Sequence, residues 1–299
     1  MIGLFKKNKI LFSGIAFLIL VCGFLILHEV QGGVGRQRSE VGKGLKAMEC
    51  RLATMTYNIG TVAGDNISFS RVIEVISKDG VPDLLILQEV QDEKEACNIA
   101  KSLGLKYYVF DTYSLVKTGG GLAIISSNPL SNPAIHYIKA CGHAVFAAEM
   151  MLNEKRFLVC SVHLEPVGPF ERVNKQVQLS WKKAFSLLRT EITKETPRTR
   201  GVNEIMAWIQ SRQCARVIIG GDFNTVPFST AIRRMGSQYD DVLWPTLDYI
   251  TGSYSKVSLP IKPRIDYIFH SPDIKCSSAS VGKEGGGDHY PVRAVLNIS

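Results

Sequence analysis

The chain has 299 residues, 45% of them apolar and 21% charged, a composition that supports a sizeable core and excludes an intrinsically disordered protein. Its formal charge of +8 does not by itself mark a nucleic-acid surface: seven of the 35 basic residues but only two of the 27 acidic ones lie in residues 1–46, so the remaining 28 basic and 25 acidic residues net only +3. Seven cysteines, odd in number and without a C-x-x-C pair, exclude a zinc ribbon, a thioredoxin-like centre and complete disulfide pairing.

Ile10 to Leu27 form an uncharged run of eighteen residues, close to the ~20 that span a bilayer core, and Lys6, Lys7 and Lys9 stand just before it. The pattern reads as a basic cytoplasmic N-terminus (1–9) and a single-pass transmembrane signal anchor (10–27), with the rest of the chain extracytoplasmic. The competing reading is a signal peptide cleaved to release a secreted product, for which Val30-Gln31-Gly32 is a poor site. Residues 28–48, with five glycines and no apolar periodicity, read as a flexible tether. A single folded domain over 49–299 follows.

Short β-rich runs bounded by turn residues predict strands at Leu52–Tyr57, Asp83–Val90, Lys106–Tyr113, Gly121–Ser126, Ala144–Leu152, Arg156–Leu164, Ala215–Gly220, Arg264–His270 and Pro291–Ile298. Helical spacing predicts helices over Phe69–Lys78, Glu93–Leu103, a long amphipathic stretch Phe170–Arg189, and Gly201–Arg212. Thr193–Arg200, with Pro197, reads as a surface loop. Strands mixed with helices, several of them alternating, and no interior linker predict one α/β domain with mixed or largely antiparallel sheets.

Polar residues fall where these strands end. Asn58, Glu89 and His163 each close or follow an apolar run, Asp222 and Asn224 follow Val217–Gly221, Asp266 sits within Arg264–Phe269, and Asp288-His289 opens the last strand. Strand ends of packed sheets share a rim, so these groups are placed to meet in one cleft. Ionisable groups in apolar strands require a partner or a metal. Gly221-Asp222-Phe223-Asn224 also has the form of an Asx turn.

The ordered motifs Thr56-Tyr57-Asn58-Ile59, Leu87-Gln88-Glu89-Val90, Gly120-Gly121-Leu122-Ala123-Ile124-Ile125-Ser126, Ser161-Val162-His163-Leu164, Gly221-Asp222-Phe223-Asn224, Arg264-Ile265-Asp266-Tyr267 and Gly287-Asp288-His289-Tyr290-Pro291-Val292 resemble those of the endonuclease/exonuclease/phosphatase (DNase I-like) superfamily. Arg172-x-x-x-Gln176 resembles that family's helix after the His motif. The resemblance implies a two-sheet α/β sandwich flanked by helices and a divalent-metal-dependent phosphodiester hydrolase, with Mg²⁺, or Mn²⁺, as cofactor. It implies Glu89 as the main metal carboxylate with Asn58 and Asp288 beside it, and Asp222 as the base that activates water with Asn224 orienting that water or a phosphate oxygen. His289 would stabilise the transition state with Asp266 fixing its tautomer, and His163 would add a second donor. Gly287 stands where the family usually has Ser.

The expected substrate is nucleic acid, cut by an endonuclease or exonuclease. Arg172, Lys175, Lys182 and Lys183 on the helix after His163 form either a binding track or a solvated face. The alternatives are a phospholipid headgroup, as in the sphingomyelinase-like branch, which a membrane anchor makes convenient, or a phosphomonoester. A non-catalytic surface-binding module is a further alternative, although binding alone needs no such set of polar residues.

Overall fold

A computed structural model describes residues 50–60, 67–112, 120–166, 170–173, 176–179, 181–255 and 262–298. The expected anchor and tether lie outside the described residues. Within them, no helix is long and apolar enough to cross a membrane.

Two six-stranded sheets make up the domain. The first runs in the order β13-β14-β1-β2-β4-β3, built from β1 (Cys50–Asn58), β2 (Leu84–Val90), β3 (Tyr107–Thr112), β4 (Gly121–Ser126), β13 (Lys275–Val281) and β14 (Val292–Ile298). The second runs β11-β12-β10-β7-β6-β5, from β5 (Leu130–Tyr137), β6 (His143–Leu152), β7 (Lys155–Leu164), β10 (Arg216–Asp222), β11 (Asp240–Asp241) and β12 (Asp266–His270). Both sheets are mixed: β1 pairs with β2 and β7 with β10 in parallel, and the other pairs are antiparallel.

Helices cover the outer faces. α1 (Phe69–Ser77) and α2 (Glu93–Leu103) bury Val72, Ile76, Ala96 and Ile99 against Met55, Leu85 and Leu87 of the first sheet. α4 (Pro197–Ser211) and α5 (Thr230–Gly236) bury Val202, Ile205, Ile232 and Met235 against Val145, Leu158 and Ile219 of the second. Each such aliphatic side chain contributes about 1.5–3 kcal/mol when taken out of water. Local signals fix the helix ends: Asp92 caps α2 by accepting from the Glu95 amide, and Gly104 closes it at φ 69°.

The inner faces come close at Gly220. A β-carbon there would lie 2.9 Å from Ile86 Cδ1 and 3.0 Å from Thr56 Cβ, so glycine lets β10 approach β1 and β2 without displacing those side chains. A polar link crosses the same layer: Gln88 Nε2 donates to Ser161 Oγ at 3.0 Å, and Ser161 Oγ donates to the Leu87 carbonyl at 2.9 Å. All three residues are buried.

The two-sheet sandwich flanked by helices is as the sequence implied, with local corrections. Phe170–Arg189 is not one helix: β8 (Phe170–Val173) pairs antiparallel with β9 (Gln176–Leu179), and α3 (Trp181–Thr193) follows. Apolar residues at 170, 173, 177 and 179 satisfy either period over so short a span, and β-branched Val173 and Val177 favour strand. Arg172 and Gln176 therefore sit on two strands, and Arg172 does not share a helix face with Lys182 and Lys183. Lys175 lies outside the described residues.

Thr193–Arg200 is not a surface loop, because α4 already starts at Pro197. Thr196 and Thr199 form a reciprocal capping box with Pro197 in the first turn, and Arg198 and Thr199 are buried. β5, β13 and α5 were not anticipated. β5 carries Pro133 on a sheet edge at a register shift between Ser131 and Ala134, and β13 is a polar edge strand, so neither shows the alternation of a buried strand.

Candidate active site

Strand register assembles half of the site. In the second sheet Asp222 lies opposite His163 on β7 and opposite Asp266 on β12, so three polar residues stand side by side across three strands. In the first sheet Asn58 ends β1 opposite Gln88, and Glu89 occupies the irregularity between Gln88 and Val90 where β2 leaves its register with β4. Glu89 has φ 55° and Asn224 φ 47°. Backbone of this kind costs roughly 1–3 kcal/mol per residue and persists where surrounding structure imposes it.

Asn58 joins the two halves. Its amide nitrogen donates to Glu89 Oε1 at 3.0 Å and to Asp222 Oδ2 at 3.1 Å, while its oxygen accepts the Gly60 amide at 3.0 Å. His163 Nε2 lies 3.6 Å from Asp222 Oδ2 and 3.8 Å from Glu89 Oε1. His289 Nδ1 is 2.9 Å from Asp266 Oδ2, leaving Nε2 at 3.7 Å from Asp222 Oδ2 and 3.9 Å from Asp288 Oδ1. Asn224 donates through its backbone to Asp222 Oδ1 at 2.8 Å and through its side chain to the Leu164 carbonyl at 2.8 Å and Asp222 Oδ2 at 3.2 Å. All eight residues singled out in the sequence thus belong to one connected group.

The electrostatics divide the group by role. Burial pushes the Asp222 carboxyl up to about 8, against the opposing pull of His289 and of hydrogen bonds from Asn224 and Asn58. Burial works against charge on His289, but Asp266 and Asp222 outweigh it and push that ring up to about 10. His163 is driven well below the usual histidine range, first by burial and then by His143 and His289, so it is neutral at pH 7. The cleft therefore holds a poised carboxyl with an imidazolium and a neutral imidazole each within 4 Å of it.

Two donor sets suggest themselves for a cation. Asp222, Asp266 and His289 bring ligand atoms within 4.8 Å of one another. Yet His289 Nδ1 is engaged by Asp266, and the ring stays protonated up to about 10, so it offers no lone pair. Glu89 and Asp288 are the carboxylates that face the opening, their side chains 20% and 15% exposed against 2% for Asp222 and 0% for Asp266. Asp288 Oδ1 also lies near Gly60, whose amide is bonded to Asn58. Carboxylate and amide oxygens beside solvent are the chemistry of a hard divalent ion that keeps part of its water shell.

Several neighbours escaped sequence reasoning. His143, half-buried, meets His163 edge to face with ring centroids 4.6 Å apart. Tyr254 packs edge to face on His289 at 5.0 Å and bridges it through the backbone. Tyr57 accepts the Gly286 amide at 2.6 Å and so holds the loop before Asp288. No motif marks His143 or Tyr254, whose positions come from strand pairing, whereas Tyr57 adjoins Asn58 in a quoted motif. At Gly287 a β-carbon would lie 2.4 Å from Ile67 Cδ1, so a serine there would require that side chain to shift. His136 and His270 lie apart from the site, the first against Glu204 and Trp208, the second on the Ser271 carbonyl.

The family model described as Endonuclease/Exonuclease/phosphatase family matches residues 198–289, a span that includes Asp222, Asn224, Asp266, Asp288 and His289. Solved structures share the fold over most of the chain. An endonuclease/exonuclease/phosphatase family protein from Bacteroides thetaiotaomicron superposes with a TM-score of 0.60 at 14% identity, covering 85% of this chain and 100% of that one. The chain carries the endonuclease/exonuclease/phosphatase fold. Truncated Caenorhabditis elegans TDP2 shares this endonuclease/exonuclease/phosphatase fold with a TM-score of 0.59 at 17% identity, over 83% of this chain and 98% of that one. The human Nocturnin catalytic domain with a bound sulfate anion gives 0.61 at 16%, over 84% and 97%. No curated protein sequence matches the chain.

Proposed function

We propose that the chain is a divalent-metal-dependent phosphodiester hydrolase that acts on nucleic acid by in-line attack of water. The observation that carries this reading is the placing of His289 Nε2 3.7 Å from the buried Asp222 carboxylate, which Asn58 in turn ties to Glu89. Asp222, pushed up to about 8, takes the proton of the attacking water, since a base is most effective with its pKa near the working pH. Asn224 holds both oxygens of Asp222 and fixes the direction of that transfer. His289, charged at neutral pH and held by Asp266, stabilises the negative charge that builds on the phosphoryl oxygens, and neutral His163 contributes a second donor. Glu89, Asp288 and the Asn58 clamp would hold Mg²⁺ or Mn²⁺, which supplies Lewis-acid neutralisation of the phosphate. The sulfate held by the human Nocturnin catalytic domain is a tetrahedral anion of the same shape as the group proposed to bind here.

The test is a panel of plasmid DNA, RNA, sphingomyelin, phosphatidylinositol phosphates and a chromogenic diester, each with Mg²⁺ and with EDTA. Plasmid nicking that weakens more than tenfold between low and physiological salt supports a chain that follows several phosphates. Clear headgroup cleavage without nicking moves the substrate to the lipid. No turnover of any substrate with Mg²⁺ or Mn²⁺ overturns the hydrolase reading.

A further inference from the structure

Ser253 is completely buried between the short 3-10 turn Leu247–Ile250 and β12, and nothing in the sequence marked it. Its hydroxyl donates to Asp266 Oδ2 at 2.6 Å and accepts the backbone amides of Ile265 and Asp266 at 3.0 Å each. Its carbonyl accepts the amide of Tyr290, the residue after His289, at 2.7 Å. One residue is therefore bonded both to the carboxylate that holds His289 and to the backbone that carries it.

The two oxygens of Asp266 are unequal. Oδ2 receives Ser253 Oγ and His289 Nδ1, whereas Oδ1 is buried without a partner among the described residues. A carboxylate anchored through one oxygen turns freely about its last bond unless that anchor has two fixed directions. Ser253 supplies the second direction, and its own hydroxyl is fixed by two backbone amides of the strand that carries Asp266. The ring of His289 inherits that order, with Nδ1 on Asp266 and Nε2 toward Asp222 and Asp288.

We propose that Ser253 is a positioning residue for the hydrolysis, acting through Asp266 to hold the His289 ring with Nε2 in the cleft. The inference rests on the hydrolase reading for its kinetic part and on geometry alone for its structural part. In the full chain, Ser253→Ala is expected to lower kcat by about ten- to hundredfold with KM little changed, the usual scale for losing a group that orients a reacting one. Ser253→Thr, which keeps the hydroxyl, is expected to recover most of that loss. In an Asp266→Asn background the alanine substitution should have no further effect on kcat, because the residue it acts through is gone.

The readout that needs no substrate is the proton NMR signal of the His289 Nδ1–H. Ser253→Ala should move or broaden it and Ser253→Thr should restore it. An unchanged His289 signal in a folded Ser253→Ala chain overturns the proposal whatever the activity. So does a kcat loss that is equally large in the Asp266→Asn background. If the alanine chain does not fold, Ser253→Cys, nearly isosteric and a far weaker donor, carries the same comparison. A moved signal in a chain that cleaves none of the panel would retain the positioning role and refute the hydrolase reading.

Discussion

The buried ion pair bonded to Thr225, beside Asn224, offers a decisive perturbation. Arg198 and Glu191 meet through two contacts, Nη2 to Oε1 at 2.6 Å and Nε to Oε2 at 3.3 Å, with side chains only 4% and 6% exposed. Thr225, next to Asn224, donates its hydroxyl to the same Glu191 at 2.9 Å. Arg198→Met leaves a buried carboxylate with a single neutral donor, and removing one partner of a buried pair costs about 3–5 kcal/mol. At about 2–4 °C per kcal/mol for a domain of this size, Tm should fall by roughly 6–20 °C. Replacing both partners, Arg198→Met with Glu191→Leu, removes the uncompensated charge. The double variant should therefore be more stable than the single one, leaving chiefly the unpaired Thr225 hydroxyl, about 1–3 kcal/mol. Urea unfolding of the three chains measures all of this. A single variant within about 1 kcal/mol of the parent, or a double variant no more stable than the single, would refute the reasoning.

EDTA should abolish hydrolysis and Mg²⁺ or Mn²⁺ restore it, while Glu89→Gln should raise the Mg²⁺ concentration for half-maximal rate at least tenfold; full activity in EDTA would remove the metal from the mechanism. The proposed mechanism needs Asp222 without its proton and His289 with one. With the first pushed up to about 8 and the second to about 10, kcat/KM should rise with pH through about 8 and fall above about 10. A profile flat from pH 6 to 9 would contradict that assignment. Burial pushes the Cys141 thiol up to about 11 and the Cys160 thiol higher still. Both should therefore escape a thiol reagent at pH 8 until denaturant is added, and prompt labelling of Cys160 in the native chain would show that this core is open.

What the sequence revealed follows from where each signal is stored. The central strands were legible because they are buried on both faces: Leu84–Leu87 is a continuous apolar run leading into Gln88 and Glu89, and Gly121–Ser126 was placed to the residue. The eight residues singled out for the site lie in one connected group, because strand register sets Asp222 beside His163 and Asp266 and Asn58 bonds across to Glu89. The losses lie at edges and in short elements. Pro133 disguised β5, serines disguised β13, and four-residue strands at 170–179 carried too few turns of either period. Ser253, His143 and Tyr254 were illegible for a different reason: their places depend on which distant strands pair, and no local spacing encodes that.

The pairing of β1 with β14 sets Cys50 opposite Ile298 and Thr56 opposite Val292, so it closes the widest separation in the described chain. Its consequence concerns time. A ribosome adding about 5–20 residues per second leaves β1 waiting roughly 10–50 s for that neighbour. Throughout that interval one edge of β1 has no partner from this chain, and such an edge recruits strands from other molecules. Asp288 and His289 emerge immediately before the strand that closes it, so a product that stops short of them lacks two residues of the cleft, and one that stops just after them still lacks β14. Chaperone demand should accordingly peak late in synthesis, and nonsense variants anywhere before Val292 should behave as aggregating nulls rather than as partly active enzymes.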